Sequence, residues 1–252
     1  MLELNKSNGA TTWIKSFSNG PTDVFLDAII KNGVYYTANV QRYGAGIEKI
    51  RAAVSKLDLS GNQLWTNSYV KDQAANARLY AYSINAVNDT LVVYGHGDLT
   101  GINDASYSLQ LFTTDLNGNI IWAKNYQLPG TNHNAGKVVP VADGYVIHGT
   151  YTKALRTEIF IIKVNKQGVV VWAKSIGGTK NETSRSMAYH DGYIYFVGHT
   201  NEFDTGQDIL FGKISLDGEI LGPGCTFVES VQVTTSNLNN PYSGQTNMST
   251  VA

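Results

Sequence analysis

Apolar and polar residues alternate along this chain in short runs, and the runs come in pairs. Residues 182–199 show the grammar: one strand, a turn at Asp191-Gly192, and a second strand ending near Gly198. Residues 207–222 add another pair around Ser215-Leu216-Asp217-Gly218. Asp-Gly flanked by β-branched and aromatic residues is the strongest short-range hairpin signal. The order repeats upstream. A first apolar hairpin falls at Phe25–Thr37, Tyr80–Tyr94, Lys137–His148 and Ser186–Val197. A second follows each, at Ala53–Tyr69, Leu109–Tyr126, Ile159–Ile176 and Ile209–Leu221. Helical periodicity is absent, so the pattern predicts strands throughout.

Each second hairpin turns on a glycine, and the chain's only four tryptophans lie four residues beyond such a glycine: Gly9/Trp13, Gly61/Trp65, Gly118/Trp122 and Gly168/Trp172. A fifth turn glycine, Gly218, keeps the register, with Gly222 where its tryptophan would stand. The glycines are spaced by 52, 57, 50 and 50 residues. Such a period marks a propeller or solenoid array, and four strands per repeat make one propeller blade. The expected fold is therefore all-β: a β-propeller of four-stranded antiparallel blades, about five in number or a fragment of a larger ring. Each tryptophan, just past its turn, is expected to wedge between neighbouring blades.

Four full units span about 22–70, 78–127, 134–176 and 182–222, and residues 2–17 form the outer half of another. The propeller is expected over 1–224, with a closing strand and a Ser/Thr/Asn-rich tail over 225–252. Thr226–Thr235 is the segment expected to supply the missing inner half beside residues 2–17. Beyond it the residues are too polar to bury enough surface to offset their ordering entropy, which predicts a linker or tail. An incomplete ring would instead self-associate through its end blades.

Composition narrows the function classes. Net charge is −1 and 15% of the 252 residues are charged, so no electrostatic footprint for nucleic acid exists. No run reaches the roughly 18 apolar residues that a membrane span needs. The one cysteine, Cys225, excludes an internal disulfide framework. No signal peptide opens the given chain, while abundant Gly, Asn, Thr, Ser and Tyr with little Lys and Glu lean towards an exported surface protein.

The segment Lys163-x-Asn165-x-x-Gly168-x-x-x-Trp172, followed by Gly177-Gly178 and then Asp191-Gly-Tyr-Ile-Tyr-Phe-Val-Gly-His-Thr200, resembles the bacterial seven-bladed β-propeller repeat. The resemblance covers about residues 2–222, although only one unit carries the double glycine. It implies an adhesive or scaffolding module of a large exported or cell-surface protein of Bacteroidota-like bacteria. The turn Asp58-x-x-Gly61-x-x-x-Trp65 is also similar to the tryptophan-docking repeat of quinoprotein-type propellers, without their cofactor pocket.

Reactive constellations are missing. There is no Gly-x-Ser-x-Gly elbow, no phosphate loop and no His-x-x-x-His or Cys-x-x-Cys spacing. No catalytic residue, cofactor or metal is expected. The nearest approach to a calcium loop is Asn201–Asp208, where oxygen ligands gather around a glycine without EF-hand spacing. Tyr43, Tyr107 and Tyr151 fall in connections, where an aromatic ring offers large contact area at low entropic cost to a glycan or protein partner. The expected function is non-catalytic recognition of protein or glycan through loops on one face of the ring. The alternative is a glycoside hydrolase or lyase in which two of the loop carboxylates Asp23, Asp72, Asp104, Glu158, Glu182, Asp204 and Asp208 converge at one end of the ring.

Overall fold

The structure, a computed structural model, describes residues 2–18, 23–43, 49–70, 78–98, 107–203, 206–220, 227–238, 242–245 and 249–251. All of its regular elements are β-strands. A partial unit opens the chain with β1 (Leu2–Leu4), β2 (Thr11–Ile14) and β3 (Ser16–Ser18). The first full unit holds β4 (Asp23–Lys31), β5 (Val34–Tyr43), β6 (Lys49–Leu57) and β7 (Gln63–Val70). The second holds β8 (Arg78–Val87), β9 (Thr90–Asp98), β10 (Tyr107–Asp115) and β11 (Ile120–Gln127). The third holds β12 (Thr131–Val141), β13 (Gly144–Lys153), β14 (Arg156–Asn165) and β15 (Val170–Ile176). The fourth holds β16 (Glu182–His190), β17 (Tyr193–Thr200) and β18 (Asp208–Ser215). Within each unit, successive strands pair antiparallel.

Consecutive units pack face to face, and this explains why the strand alternation is apolar on both sides. In β14, Phe160 and Ile162 join a core shared with Tyr94, Leu111 and Tyr126 of the second unit. Ile159 and Ile161, pointing the other way, join Met187, Ile194 and Phe196 of the fourth. A third cluster binds the first unit to the second through Tyr36, Val54, Tyr69, Val93 and Phe112. Phe17 and Leu57 hold the partial unit to the first. Among the described residues, no cluster joins the partial unit to the fourth. Ile14 is 67% exposed, while Ile209 and Phe211 are 85% and 67% exposed.

The tryptophans do pack between units, each docking on the glycine turn of the unit that follows. A Cβ on Gly168, where φ is +70°, would lie 2.7 Å from the Trp122 ring, so the turn needs glycine for its left-handed backbone and for the ring beneath it. Trp65, Trp13 and Trp172 lie likewise against Gly118, Gly61 and Gly218. The indole N–H of Trp122 donates to the Lys166 carbonyl at 3.0 Å, that of Trp13 to Leu59 at 3.0 Å, and that of Trp172 to Leu216 at 2.8 Å. Tyr126 and Tyr69, four residues past their tryptophans, donate to the carbonyls of Gly168 and Gly118 at 2.7 and 2.8 Å. Gly9 has no atom within 4 Å of a Cβ placed on it.

The carboxy-terminal segment differs from expectation. Four short strands follow the fourth unit: β19 (Val228–Ser230), β20 (Thr234–Asn237), β21 (Tyr242–Gln245) and β22 (Ser249–Val251). They pair antiparallel with β15, β11, β7 and β3 in turn, each adding a strand to the outer edge of a different unit. Thr226–Thr235 therefore does not complete the partial unit as an inner hairpin; its described part lies along the third and second units. In the Ser/Thr/Asn-rich stretch after it, Ser236–Asn237, Tyr242–Gln245 and Ser249–Val251 are paired strands. Main-chain hydrogen bonding to open edges holds this stretch, with Leu238 added to the core between the first and second units. The expected boundary at 224/225 lies outside the described residues.

Candidate binding surfaces

In every full unit, the entry to the first strand and the connection from second to third strand lie at the same end, opposite the tight turns. Register places Arg78, Asp98 and Tyr107 there in the second unit, Thr131, Lys153 and Arg156 in the third, and Glu182, Thr200 and Asp208 in the fourth. Tyr43 ends β5 at this end, paired with Lys49; its side chain lies outside the described residues. Tyr151 sits near the same end but is 0% exposed, so it is no ligand contact. Its hydroxyl meets Ser175 at 2.9 Å and donates to Glu158 at 3.2 Å. Its ring stacks 6.0 Å from His133.

Tyr107 is half-buried and belongs to a cluster that the alternation did not reveal. Its ring lies 5.0 Å from His96 and 6.2 Å from Tyr80, and the Tyr82 ring lies 4.7 Å from His96. Tyr82 shares the face of Tyr80, two residues away, and lies at the bulge of β8 between Ala81 and Ser83. Gly95 permits the close strand approach there, since a Cβ would lie 1.7 Å from the Tyr80 carbonyl oxygen. Burial pulls His96 down to about pKa 4, with His133 adding to the effect. Neutral His96 accepts the Ala135 N–H on Nδ1 at 3.0 Å and so forms a fixed post between the tyrosines. His133 is held the same way, Nδ1 donating to the Tyr107 carbonyl at 2.7 Å and Nε2 accepting the Leu128 N–H at 3.1 Å. The result is three half-buried phenol rings with both apolar faces and polar tips, on a rigid base.

A second surface lies between the third and fourth units, around the double glycine. An apolar cleft of about 90 Å³ is lined by Phe196, Leu210, Phe211 and Ile220, with Phe203 and Phe227 crossing edge-to-face at 6.2 Å. Gly177 N–H donates to the Phe227 carbonyl at 2.9 Å. Glu182, 3% exposed, accepts Thr200 Oγ1 at 2.9 Å and the Gly178 N–H at 3.3 Å. Burial raises its carboxyl pKa, with smaller contributions from Glu202 and Glu158. Glu202 accepts the N–H groups of Thr179 and Lys180 at 2.8 and 2.9 Å, and the Thr179 hydroxyl bond leads the causes that lower its carboxyl. Glu158 takes hydrogen bonds from Tyr151 and Ser175, with Lys153 Nζ 3.7 Å away. The glutamates were visible in the sequence, but their convergence depends on strand pairing between β16 and β17. The double glycine was the only local signal.

No group of three or more His, Cys, Asp and Glu side chains able to hold a metal occurs among the described residues. Of the Asn201–Asp208 loop, Asp204 and Thr205 lie outside them; Asn201 Nδ2 donates to the Gly206 carbonyl at 3.1 Å, and Asp208 Oδ2 is buried with no hydrogen-bond partner among the described residues. Among the described residues, no helix is long and apolar enough to cross a membrane. Set against known proteins, the sequence matches no family model and no curated protein.

Proposed function

We propose that this chain is a non-catalytic recognition module on an exported or cell-surface bacterial protein, built as a β-propeller of about five blades or part of a larger one, and that it binds glycan through its loop end. The observation that carries the reading is the Tyr80–Tyr82–Tyr107 group around neutral His96. Aromatic faces suit the apolar face of a pyranose, and hydroxyl tips suit its polar rim. The face-to-face packing of antiparallel sheets and the tryptophan docking from unit to unit support the propeller reading. The uncovered faces of the end sheets support self-association through them.

A glycan array with the purified protein tests the reading, followed by titration of retained sugars against Tyr82→Ala and Tyr107→Ala. One stacking ring is worth about 0.5–1.5 kcal/mol, so each variant should weaken binding by about 2- to 10-fold with its circular dichroism unchanged. Equal affinity of wild type and variants, or retention of no glycan, sinks the reading. A glycoside hydrolase or lyase is the second reading, favoured by the gathering of Glu158, Glu182 and Glu202 at Gly177-Gly178. Against it, each of these carboxylates already holds donors of its own strands and turns.

A further inference from the structure

The tail strands do more than cover edges at random. Val228 pairs with Ile176, Thr235 with Tyr126, Ser243 with Tyr69, and Thr250 with Phe17. Each partner lies four residues past the tryptophan of its unit, so one register is used four times. The steps along the tail are 7, 8 and 7 residues. At one equivalent place, Val231 N–H donates to the Ala173 carbonyl and Leu238 N–H to the Ala123 carbonyl, at 3.1 and 2.9 Å. Val231 packs on the core between the second and third units, and Leu238 sits in the core between the first and second. Between these anchors, Thr234–Asn237 are all exposed.

Attachment of the tail thus rests on main-chain pairing, with the aliphatic residues Val231 and Leu238 fixing the register at the two described anchors. Such pairing does not depend on which copy supplies the strand, and a terminal segment held this way is readily exchanged between protomers. We propose that the outer edge formed by β15, β11, β7 and β3 is a strand-addition site which the tail of a second copy also fills, so that copies of this protein exchange tails. This goes beyond the glycan reading and does not depend on it. The cis tail competes at the high effective concentration of a linked segment, so exchange grows with protein concentration during refolding.

Disulfide trapping in the full chain tests it, with Cys225→Ser as background. Lys174 and Ser230 face each other across β15 and β19, and the Lys174 Nζ donates to Ser230 Oγ at 3.1 Å on the exposed side. The hydrogen-bonded pairing at Ala173/Val231 and Gly177/Phe227 makes 174/230 a non-hydrogen-bonded pair. Its Cα separation of about 4.5 Å suits a disulfide. The double variant Lys174→Cys/Ser230→Cys should close internally at low concentration. The two single variants, unfolded, mixed and refolded together, should give disulfide-linked dimer at least about 5-fold more than either refolded alone, rising with concentration. Linked dimer no more abundant in the mixture than in the single variants overturns the proposal. So does a double variant that fails to close, because the tail would then not lie on β15.

Discussion

Replacing Gly168 by alanine separates the two demands made on each docking turn, backbone handedness and room for the ring. Holding an alanine at φ +70° costs about 1–2 kcal/mol. The new Cβ would also lie 2.7–2.8 Å from Trp122 ring carbons and 2.8 Å from the Tyr126 hydroxyl. Pushing the ring aside loosens Trp122 Nε1 from Lys166 and Tyr126 from the Gly168 carbonyl. Overpacking of this kind costs about 1–3 kcal/mol more. Gly192 supplies the control: its φ is +81°, and a Cβ there meets nothing within 4 Å. Gly192→Ala should therefore cost about 1–2 kcal/mol and Gly168→Ala about 2–5 kcal/mol. Urea denaturation followed by tryptophan fluorescence and by circular dichroism reads both variants, and in a stack of units the probes need not coincide. Equal midpoints for the two alanine variants would refute the docking argument, since only the ring contact distinguishes them.

Two further outcomes follow from other parts of the stack. Burial lowers His96 to about pKa 4 and His148 to about 3, so between pH 6.5 and 5 the unfolded chain binds more protons than the folded one and stability falls with pH. With the unfolded imidazole half protonated at pH 6.5, each histidine removes about 1.6 kcal/mol over that interval, partly offset by the raised Glu182 carboxyl, whose protonation acts in the opposite sense. Denaturation midpoints at the two pH values check this, and a flat profile contradicts it; His148→Gln, which cannot titrate, should flatten the slope. Leu238, 6% exposed in the core between the first and second units, should cost about 2–3 kcal/mol as alanine and speed amide exchange at Thr235–Leu238, whereas wild-type exchange there would mean the tail is not docked.

Local chemistry made much of this protein legible before any coordinates. Asp-Gly and x-x-x-Gly turns specify backbone conformations that few residues adopt, so hairpin positions follow from residue type. The tryptophan four residues beyond each glycine marked the place where neighbouring units touch, because a large ring just past a turn has to be buried somewhere. That Ile159–Ile162 are covered on both faces emerged only when the third unit was seen between the second and the fourth. The tail was misread for a physical reason. Composition reports only what side chains can bury, and Ser, Thr and Asn strands are held here by main-chain hydrogen bonds to edges whose existence depends on the assembled units. The same limit hid the tyrosine cluster: the approach of Tyr107 to His96 and the burial that neutralises His96 arise from strand pairing and packing. Tyr151 looked like its counterpart Tyr107 in sequence, yet one is enclosed by Phe160, Ser175 and His133 while the other stays half-buried beside His96. What lies between sheets, and which residue reaches the surface, was decided only when the units stacked.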